Sequence, residues 1–236
     1  MVTPSKTPGR GLDPASIETA RWGRERFAVP SRSLARALLG RWLVRRLDSG
    51  TLLIGRIVET EAYMGVRDAA SHAYRGRRTP RNEAMYAQAG TAYVYFTYGM
   101  HYCMNVVCAR EGVPEAVLLR ALEPVAGIPT MRQLRARPGI ADREIASGPA
   151  RLCQAMAIDK ALNSEDLARS RTLWIAEPRP DIAENPLNPK GLRPRVVRAP
   201  RIGVDYAGDW AHKPLRYLYH AHPHVSVAVP KRRKPK

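Results

Sequence analysis

Acidic side chains are scarce in this chain, which has 39 Lys and Arg residues against 21 Asp and Glu and a formal net charge of +18 at pH 7. So basic a surface attracts polyanions and releases counterions on binding phosphate, which predicts a nucleic acid as partner. An anionic membrane surface would meet the same charge requirement. However, no apolar run approaches the roughly 18 residues of a membrane span, and the N-terminus lacks the apolar core of a secretion signal. We therefore expect no membrane association and a cytoplasmic location, at the nucleoid if the source is bacterial.

Cysteines are few, and the three present, Cys103, Cys108 and Cys153, form no CxxC pair. Their odd number predicts reduced thiols in an intracellular protein rather than a disulfide framework. Cys103 and Cys108 lie inside apolar strand patterns, which indicates burial rather than a reactive nucleophile. The GxxxxGK[ST] phosphate loop is also missing, so hydrolysis of a nucleoside triphosphate has no support.

Candidate metal ligands are limited to three alternating histidines, His220, His222 and His224, near the end of a strand pattern. Alternate histidines around Pro223 are more often exposed loop residues than ligands. We expect neither a metal nor another cofactor.

The order of patterns predicts one domain of mixed α/β class. Residues 1–25 mix Pro, Gly, Ser and charge without periodicity, which predicts a flexible N-terminal arm. Residues 26–229 would form the domain, with a proline-rich surface loop at 178–200, and residues 230–236 a basic tail. Two strand–turn–strand patterns, at 42–63 and 91–107, predict hairpins in a curved antiparallel sheet. Helices would pack outside that sheet, and the second hairpin would protrude from it.

The stretch from Arg56 to Tyr63 alternates with the period of a strand, so Glu59, Glu61 and Tyr63 share one face. Solvent-facing strands usually carry charges of both signs, whereas this face carries only acids in a basic protein. The pattern therefore indicates a site. The alternative is an ordinary wet strand face on which one of the glutamates pairs with an arginine.

A polar stretch at residues 75–82 contains four arginines, Thr79 and Asn82, all of which can donate to phosphate. Arginine-rich loops are also often merely solvated. Tyr63, Tyr93, Tyr95 and Tyr98 could stack on bases, each at about 1 to 3 kcal/mol. Core packing is the alternative, and the better one for Tyr93. Tyr98, at a hairpin tip, has less core to join and could push into a base stack.

Several motifs in fixed order resemble the alkyladenine (3-methyladenine) DNA glycosylase family, over about residues 27–229. They are Arg56 to Tyr63, Thr79-Pro-Arg-Asn82, Gly90 to Asn105 with Tyr-Gly-Met at its centre, Leu118-Leu-Arg-Ala-Leu-Glu-Pro124, Ser147-Gly-Pro149 with Leu152-Cys-Gln154, and Lys213-Pro-Leu-Arg216. Any one of these motifs would be weak, but together they are highly specific. The resemblance implies flipping and hydrolytic removal of alkylated or deaminated purines from duplex DNA, which leaves an abasic site.

The resemblance also assigns roles to catalytic residues. Glu61 matches the general base that deprotonates a water aimed at the anomeric carbon, and Arg120 matches the arginine that helps to hold that water and the carboxylate. A carboxylate near an oxocarbenium-like sugar both activates water and stabilises positive charge. No lysine occupies the active strand, so we expect a monofunctional enzyme without a Schiff-base step.

Further positions match residues that contact the base or the DNA. Tyr63 and Tyr95 match the walls that stack on the extruded base, His72 a contact to the base and phosphate, and Asn105 the group that collides with the 2-amino group of guanine. Tyr98 matches the wedge in the duplex, with Met100 supporting it. Contacts to the DNA backbone are expected from Arg77, Thr79, Arg81, Arg151 and Lys160. The partner is thus duplex DNA with damaged purines, bound by a monomer.

Two other interpretations remain open. A non-catalytic binder of damaged or structured nucleic acid could keep the pocket without turnover, but it would have no use for Glu61 near phosphates that it repels. An RNA-binding module would have no reason for Asn105 or the wedge, and it would bind RNA as well as duplex DNA.

Overall fold

The computed structural model describes residues 14–97, 99–137, 139–178 and 194–229. Within these residues it contains six α-helices and eight β-strands. The helices are α1 (Pro14–Thr19), α2 (Ser31–Ala37), α3 (Ile128–Leu134), α4 (Asp142–Ile145), α5 (Pro149–Ala155) and α6 (Asp209–His212). The strands are β1 (Trp42–Arg46), β2 (Leu52–Tyr63), β3 (Ala92–Thr97), β4 (His101–Cys108), β5 (Glu115–Ala126), β6 (Leu173–Ala176), β7 (Val196–Ala199) and β8 (Arg216–Tyr219).

All eight strands join one antiparallel sheet, in which six follow the order β3-β4-β5-β2-β1-β6 and β7 and β8 lie off this path. The first half of β2 pairs with β1, and its second half pairs with β8, which in turn pairs with β7. The predicted mixed fold with an antiparallel sheet is confirmed, as are the two predicted hairpins, β1–β2 and β3–β4.

The long pairing of β2 with β5 is irregular around Glu59. Glu59 pairs with Ala121 and Thr60 with Leu119, so Arg120 is an extra residue on β5 at this point. An extra residue of this kind bends its strand and redirects side chains, which is why bulges are frequent beside active sites. The bulge brings the Arg120 side chain onto the face that carries Glu59 and Glu61.

The main hydrophobic core packs helices against the sheet. Leu34 and Leu38 from the α2 region and Leu152 from α5 join Leu119 and Val106 of the sheet in one buried cluster. On β2, Thr60 donates from its hydroxyl to the carbonyl of Ala35 in α2 at 2.8 Å. Helix α2 therefore covers the face of β2 opposite to the two glutamates.

The prediction of a flexible arm through residue 25 is wrong from Pro14 onwards. Ile17 of α1 is fully buried in a second apolar cluster with Trp42 and Trp174, and Trp22 is buried in the main core. Isolated apolar residues in a polar stretch show no periodicity, yet Ile17 and Trp22 each join a buried apolar cluster that includes sheet residues. Residues 1–13 of the predicted arm lie outside the described residues.

The predicted surface loop at 178–200 is wrong at its C-terminal end, because Val196–Ala199 forms strand β7 and pairs with β8. This strand is short and half exposed, so it lacks the apolar alternation that sequence patterns require. Residues 179–193 of this loop and the basic tail, 230–236, lie outside the described residues. Among the helices that the structure describes, none is long and apolar enough to cross a membrane.

Candidate active site

A cavity of about 290 Å³ opens between the β2–β5 face, the base of the β3–β4 hairpin and the loop after β7. Five of the predicted site residues line it: Tyr63, His72, Tyr95, Asn105 and Arg120. These residues come from four strands and one loop, so only the folded sheet brings them together.

Glu61 lies directly beneath the lining of this cavity and has no exposed surface. Its Oε2 accepts a hydrogen bond from the Tyr63 hydroxyl at 2.9 Å, and its Oε1 accepts one from the backbone N–H of Ile202 at 2.9 Å. Arg120 Nη1 lies 3.2 Å from the same Oε1. Tyr63, Ile202 and Arg120 all line the cavity, so they connect the carboxylate to whatever occupies it.

The protonation of Glu61 is set by opposing effects. Burial raises its pKa above the usual value, Arg120 and the hydrogen bonds from Ile202 and Tyr63 lower it, and the negative charge of Glu59 raises it. The net shift is upward. Burial and Glu61 also raise the pKa of Tyr63 well above its usual value, so the phenol stays protonated and donates. A buried carboxyl with a raised pKa is typical of a group that accepts a proton during catalysis.

Glu59 is as fully buried as Glu61, so the interpretation of this face as a wet strand face is wrong. Its Oε1 accepts from Arg216 Nη1 at 2.8 Å and from Arg120 Nε at 3.3 Å, and its Oε2 accepts from the N–H of Ser226 at 2.7 Å. Two carboxylates and two guanidinium groups thus form a buried cluster, Glu59, Glu61, Arg120 and Arg216, which we call the floor of the cavity. The sequence analysis did not predict that Arg216 belongs to this cluster. The only sign of its importance was its position in the Lys213-Pro-Leu-Arg216 motif.

Aromatic side chains form one wall of the cavity. The rings of Tyr95 and His72 meet edge to face with their centroids 4.6 Å apart, and Tyr93 stacks beside Tyr95 at 5.2 Å. Tyr93 is almost fully buried, as expected for core packing, but it also lines the cavity. Asn105 is held in place by a hydrogen bond from its Nδ2 to the Tyr93 carbonyl at 3.3 Å.

His72 is neutral at pH 7. Burial and then the nearby Arg81 and Arg77 lower its pKa to about 4. Its Nδ1 lies 2.7 Å from the Tyr93 hydroxyl. The other ring nitrogen, which has no partner in the part of the chain that the structure describes, is left for a ligand.

A buried ion pair that sequence reasoning missed supports Tyr63. Arg201 donates to Asp68 from both terminal guanidinium nitrogens, Nη1 at 2.6 Å and Nη2 at 2.8 Å, and neither side chain is exposed. The Arg201 guanidinium lies 4.6 Å from the centre of the Tyr63 ring. Because Arg201 occupies one face of this ring, the opposite face is the one left for a flat ligand.

The predicted DNA contacts Arg77, Thr79 and Arg81 follow His72 in the chain, and the charges of both arginines act on the His72 ring. We call Arg77, Arg81 and Met100 of the hairpin tip the entrance. Arg77 and Arg81 are exposed, whereas Thr79 is half buried and its hydroxyl donates to Asn82 Oδ1 at 3.1 Å. Arg81 donates from Nη2 to the carbonyl of Phe96 in β3 at 2.9 Å, which ties this loop to the hairpin. Thr79 therefore shapes the turn, and the two arginines remain available to phosphate.

The hairpin tip carries exposed apolar side chains. Met100 is 69% exposed and Phe96 is 45% exposed. Tyr98, the predicted wedge, lies outside the described residues. The Phe96 ring packs against Tyr102 with the ring centroids 5.0 Å apart, whereas Met100 stands at the turn itself and is available for an interaction.

The remaining predicted contacts are less closely connected to the cavity. Arg151 is exposed on α5, which begins at the cavity-lining Pro149, and Lys160 is exposed on a short turn packed against β3. Their roles stay predictions.

The three histidines considered as metal ligands do not form a metal site in the described residues. The ring centroids of His222 and His224 lie 5.7 Å apart, but within the described ranges no group of His, Cys, Asp and Glu could hold a metal ion.

Comparisons with known proteins agree with this geometry. A family model described as methylpurine-DNA glycosylase matches residues 25–223. The DNA-3-methyladenine glycosylase of Homo sapiens is 50% identical over 214 residues, which cover 88% of this chain and 68% of the human protein. The mouse protein of that name is 48% identical, and the alignment covers 89% of this chain and 62% of the mouse protein. A putative 3-methyladenine DNA glycosylase of Desulfitobacterium hafniense is 42% identical over 88% of this chain and 98% of its own length.

Proposed function

Because the chain belongs to the methylpurine-DNA glycosylase family, we propose that it flips alkylated or deaminated purines out of duplex DNA and that Glu61 activates the water that releases them. It is a base-excision repair enzyme, a hydrolase of N-glycosidic bonds that acts on DNA with damaged bases. The substrates we propose are 3-methyladenine, 7-methylguanine, hypoxanthine and ethenoadenine.

In the proposed reaction, Glu61 accepts a proton from water while the water oxygen bonds to the anomeric carbon. The bond from that carbon to the purine nitrogen breaks, and its electron pair leaves with the base. The sugar passes through an oxocarbenium-like state, which a carboxylate stabilises by charge. Arg120 and Tyr63, both in contact with Glu61 and both on the cavity surface, orient the water. No lysine occurs among the described residues that line the cavity, which supports hydrolysis rather than a Schiff base.

Recognition of the base is assigned to the aromatic walls. The free face of Tyr63 and the Tyr95 ring receive a flat purine, and an alkylated purine with positive charge stacks on them more strongly than a normal one. Neutral His72 can exchange one hydrogen bond with the base. Asn105 is buried and fixed by the Tyr93 carbonyl, so it cannot yield to the 2-amino group of guanine.

Engagement of the duplex is assigned to the exposed parts around the entrance. Tyr98, supported by Met100, fills the space that the flipped nucleotide leaves, and Arg77 and Arg81 bind backbone phosphates. We propose that the protein acts on DNA as a monomer, in the cytoplasm or at the nucleoid.

The observation that carries the proposal is the buried Glu61 joined by Tyr63 and Arg120 to an aromatic cavity. Its test is single-turnover incubation with labelled duplexes that each hold one lesion, followed by alkali and a strand-cleavage gel. Strand cleavage that requires alkali on lesion duplexes, with none on undamaged guanine, is expected. Cleavage without alkali would refute the monofunctional mechanism, and silence on all four lesions would refute the substrate proposal.

A further inference from the structure

The floor of the cavity contains a carboxylate that the proposed chemistry does not use. Glu59 precedes Glu61 by two residues on β2 and is equally inaccessible. Its two oxygens have three donors: Arg216 Nη1 at 2.8 Å, Arg120 Nε at 3.3 Å and the N–H of Ser226 at 2.7 Å. Glu59 is not among the residues that line the cavity, so any effect on the reaction must pass through a neighbour.

Arg120 is the neighbour that connects Glu59 to the chemistry. Its Nε contacts Glu59 Oε1 at 3.3 Å, while its Nη1 lies 3.2 Å from Glu61 Oε1. A guanidinium group is planar and rigid, so a bond at Nε fixes the direction of Nη1. Without that bond Arg120 would keep, apart from Glu61, only the long contact from its Nη2 to Ser226 Oγ at 3.5 Å. It could then turn and grip both oxygens of Glu61, the geometry that arginine prefers with a carboxylate.

Glu59 is itself held by elements far away in the chain. Arg216 donates from Nε to the Pro200 carbonyl at 3.0 Å and from Nη1 to the Val227 carbonyl at 2.8 Å. The backbone of Ser226, next to Val227, binds Glu59 directly. Strand β8 and the segment around residue 226 therefore cover the Glu59 carboxylate, and their hydrogen bonds fix its orientation.

We propose that Glu59 is a positioning residue for base release, which shares Arg120 with Glu61 and so prevents a closed Arg120–Glu61 pair that would weaken the base. This inference rests on the proposed function, since it takes Glu61 as the base. Arg216 and the Ser226 N–H complete the device by fixing Glu59.

The surroundings of Glu61 define what a change at Glu59 would do. The charged and titratable groups that face Glu61 are Glu59 and Tyr63 from β2, Tyr95 from β3, Cys103 from β4, Arg120 from β5 and Arg201 from the loop after β7. Loss of the Glu59 charge removes a repulsion and frees Arg120, and both changes favour ionised Glu61. The carboxylate would then be ionised at lower pH but would take a proton from water less readily.

The test is Glu59→Gln, which keeps the shape of the side chain and removes its charge. Single-turnover release of hypoxanthine from a labelled duplex is measured across pH, together with the Kd for the same duplex. We expect the plateau rate to fall about 10- to 100-fold, the Kd to stay within about threefold, and the acid limb of the pH profile to move to lower pH. A folded Glu59→Gln protein with an unchanged plateau and an unchanged acid limb would overturn the proposal.

A matched control separates positioning from folding. Glu123 is also buried, and it pairs with Arg56 at 2.9 Å across the same two strands but away from the cavity. Glu123→Gln is expected to lose stability without moving the acid limb, and an equal movement of that limb would contradict a specific role for Glu59.

A charge-neutral double variant covers the case in which Glu59→Gln does not fold. Glu59→Gln with Arg216→Gln removes one charge of each sign from the floor, and it should show the same fall in rate and the same shift of the limb. Wild-type turnover by the double variant would overturn the proposal. Inactive wild-type protein in this assay would instead count against the proposed function.

Discussion

The floor of the cavity and its entrance are built on opposite principles. In the floor, Glu59 and Glu61 are fully buried and every one of their oxygens has a donor. At the entrance, the side chains of Arg77, Arg81 and Met100 are exposed. The floor stands on paired strands, whereas the entrance stands on a loop and a hairpin tip.

The difference shows how one protein can both keep catalytic groups in fixed positions and bind DNA without regard to sequence. Buried charges with complete partners cost little to reorganise during a reaction, so they suit the chemical step. Exposed cations exchange phosphates quickly and act by counterion release, so they suit sequence-independent binding. We therefore expect substitutions in the floor to lower the rate of base release by orders of magnitude or to destabilise the fold. Substitutions at the entrance should instead alter the affinity for DNA and its salt dependence.

The largest effect is expected for Glu61→Gln, which tests the chemical role of the floor. Removal of a general base typically costs about 10² to 10⁴ in rate. Single-turnover release should fall by at least that factor, while the Kd for a lesion duplex stays close to that of the wild type. A parallel loss of lesion binding would show that Glu61 is structural, and the distinction between floor and entrance would fail.

Arg201→Gln should produce the next largest effect, and on stability. It leaves the Asp68 side chain buried without its ion-pair partner, and breaking a buried pair in this way costs about 3 to 5 kcal/mol. Denaturant unfolding measures the loss. The control is Arg78→Gln, which breaks an exposed pair with Glu83 and should leave the midpoint unchanged. Similar losses in both variants would mean that burial does not distinguish these pairs.

The floor could be predicted only as far as the alternation of residues within one β-strand allows. Alternation alone placed Glu61 and Tyr63 on one face of β2, and the structure has them hydrogen-bonded to each other. It could not show that both glutamates are buried, because their covering groups, Ile202 and Ser226, come from loops more than a hundred residues later. Nor could it place Arg120, whose direction depends on a bulge in a pairing between distant strands.

The Asp68–Arg201 pair was unpredictable for the same reason. Asp68 sits in a polar loop and Arg201 follows β7, and each looks like an ordinary surface charge. Only the packing of the loop after β7 onto Tyr63 removes both from solvent. Sequence patterns report local periodicity, so they find the strands of this site but not the charges that support it.

The pH dependence of base release is expected to follow the floor rather than the entrance. Burial raises the pKa of Glu61, and only its ionised form accepts a proton, so the rate should rise with pH through that raised value and fall about tenfold per unit below it. His72, with a pKa of about 4, is already neutral above pH 5 and adds no limb between pH 5 and 8. If the acid limb of the pH–rate profile persisted in Glu61→Gln but disappeared in His72→Gln, the titrating group would be His72 rather than Glu61.

Tyr98→Ala tests whether the hairpin acts on the duplex. A ring that fills the gap in a base stack is worth about 1 to 3 kcal/mol, so the Kd for a paired lesion should rise about tenfold or more. Single-stranded DNA has no gap to fill, and its Kd should change much less. Met100→Ala, at the exposed tip, should act in the same direction with a smaller effect. A uniform loss on both substrates would remove the wedge assignment.

The smallest effect is expected for Arg77→Ala, and it is visible chiefly in salt dependence. Each phosphate that a cation neutralises contributes about 0.9 to the slope of log Kd against log salt, so loss of Arg77 should lower the slope by about one and leave the single-turnover plateau unchanged. Arg78 is the matched control: it is also exposed in the same loop, but Glu83 already pairs with it, so Arg78→Ala should change the slope less. Equal slopes for both variants would mean that local ion pairs do not decide which arginines meet DNA. A lower plateau for Arg77→Ala would instead connect the entrance to the chemical step through His72, whose pKa Arg77 helps to lower.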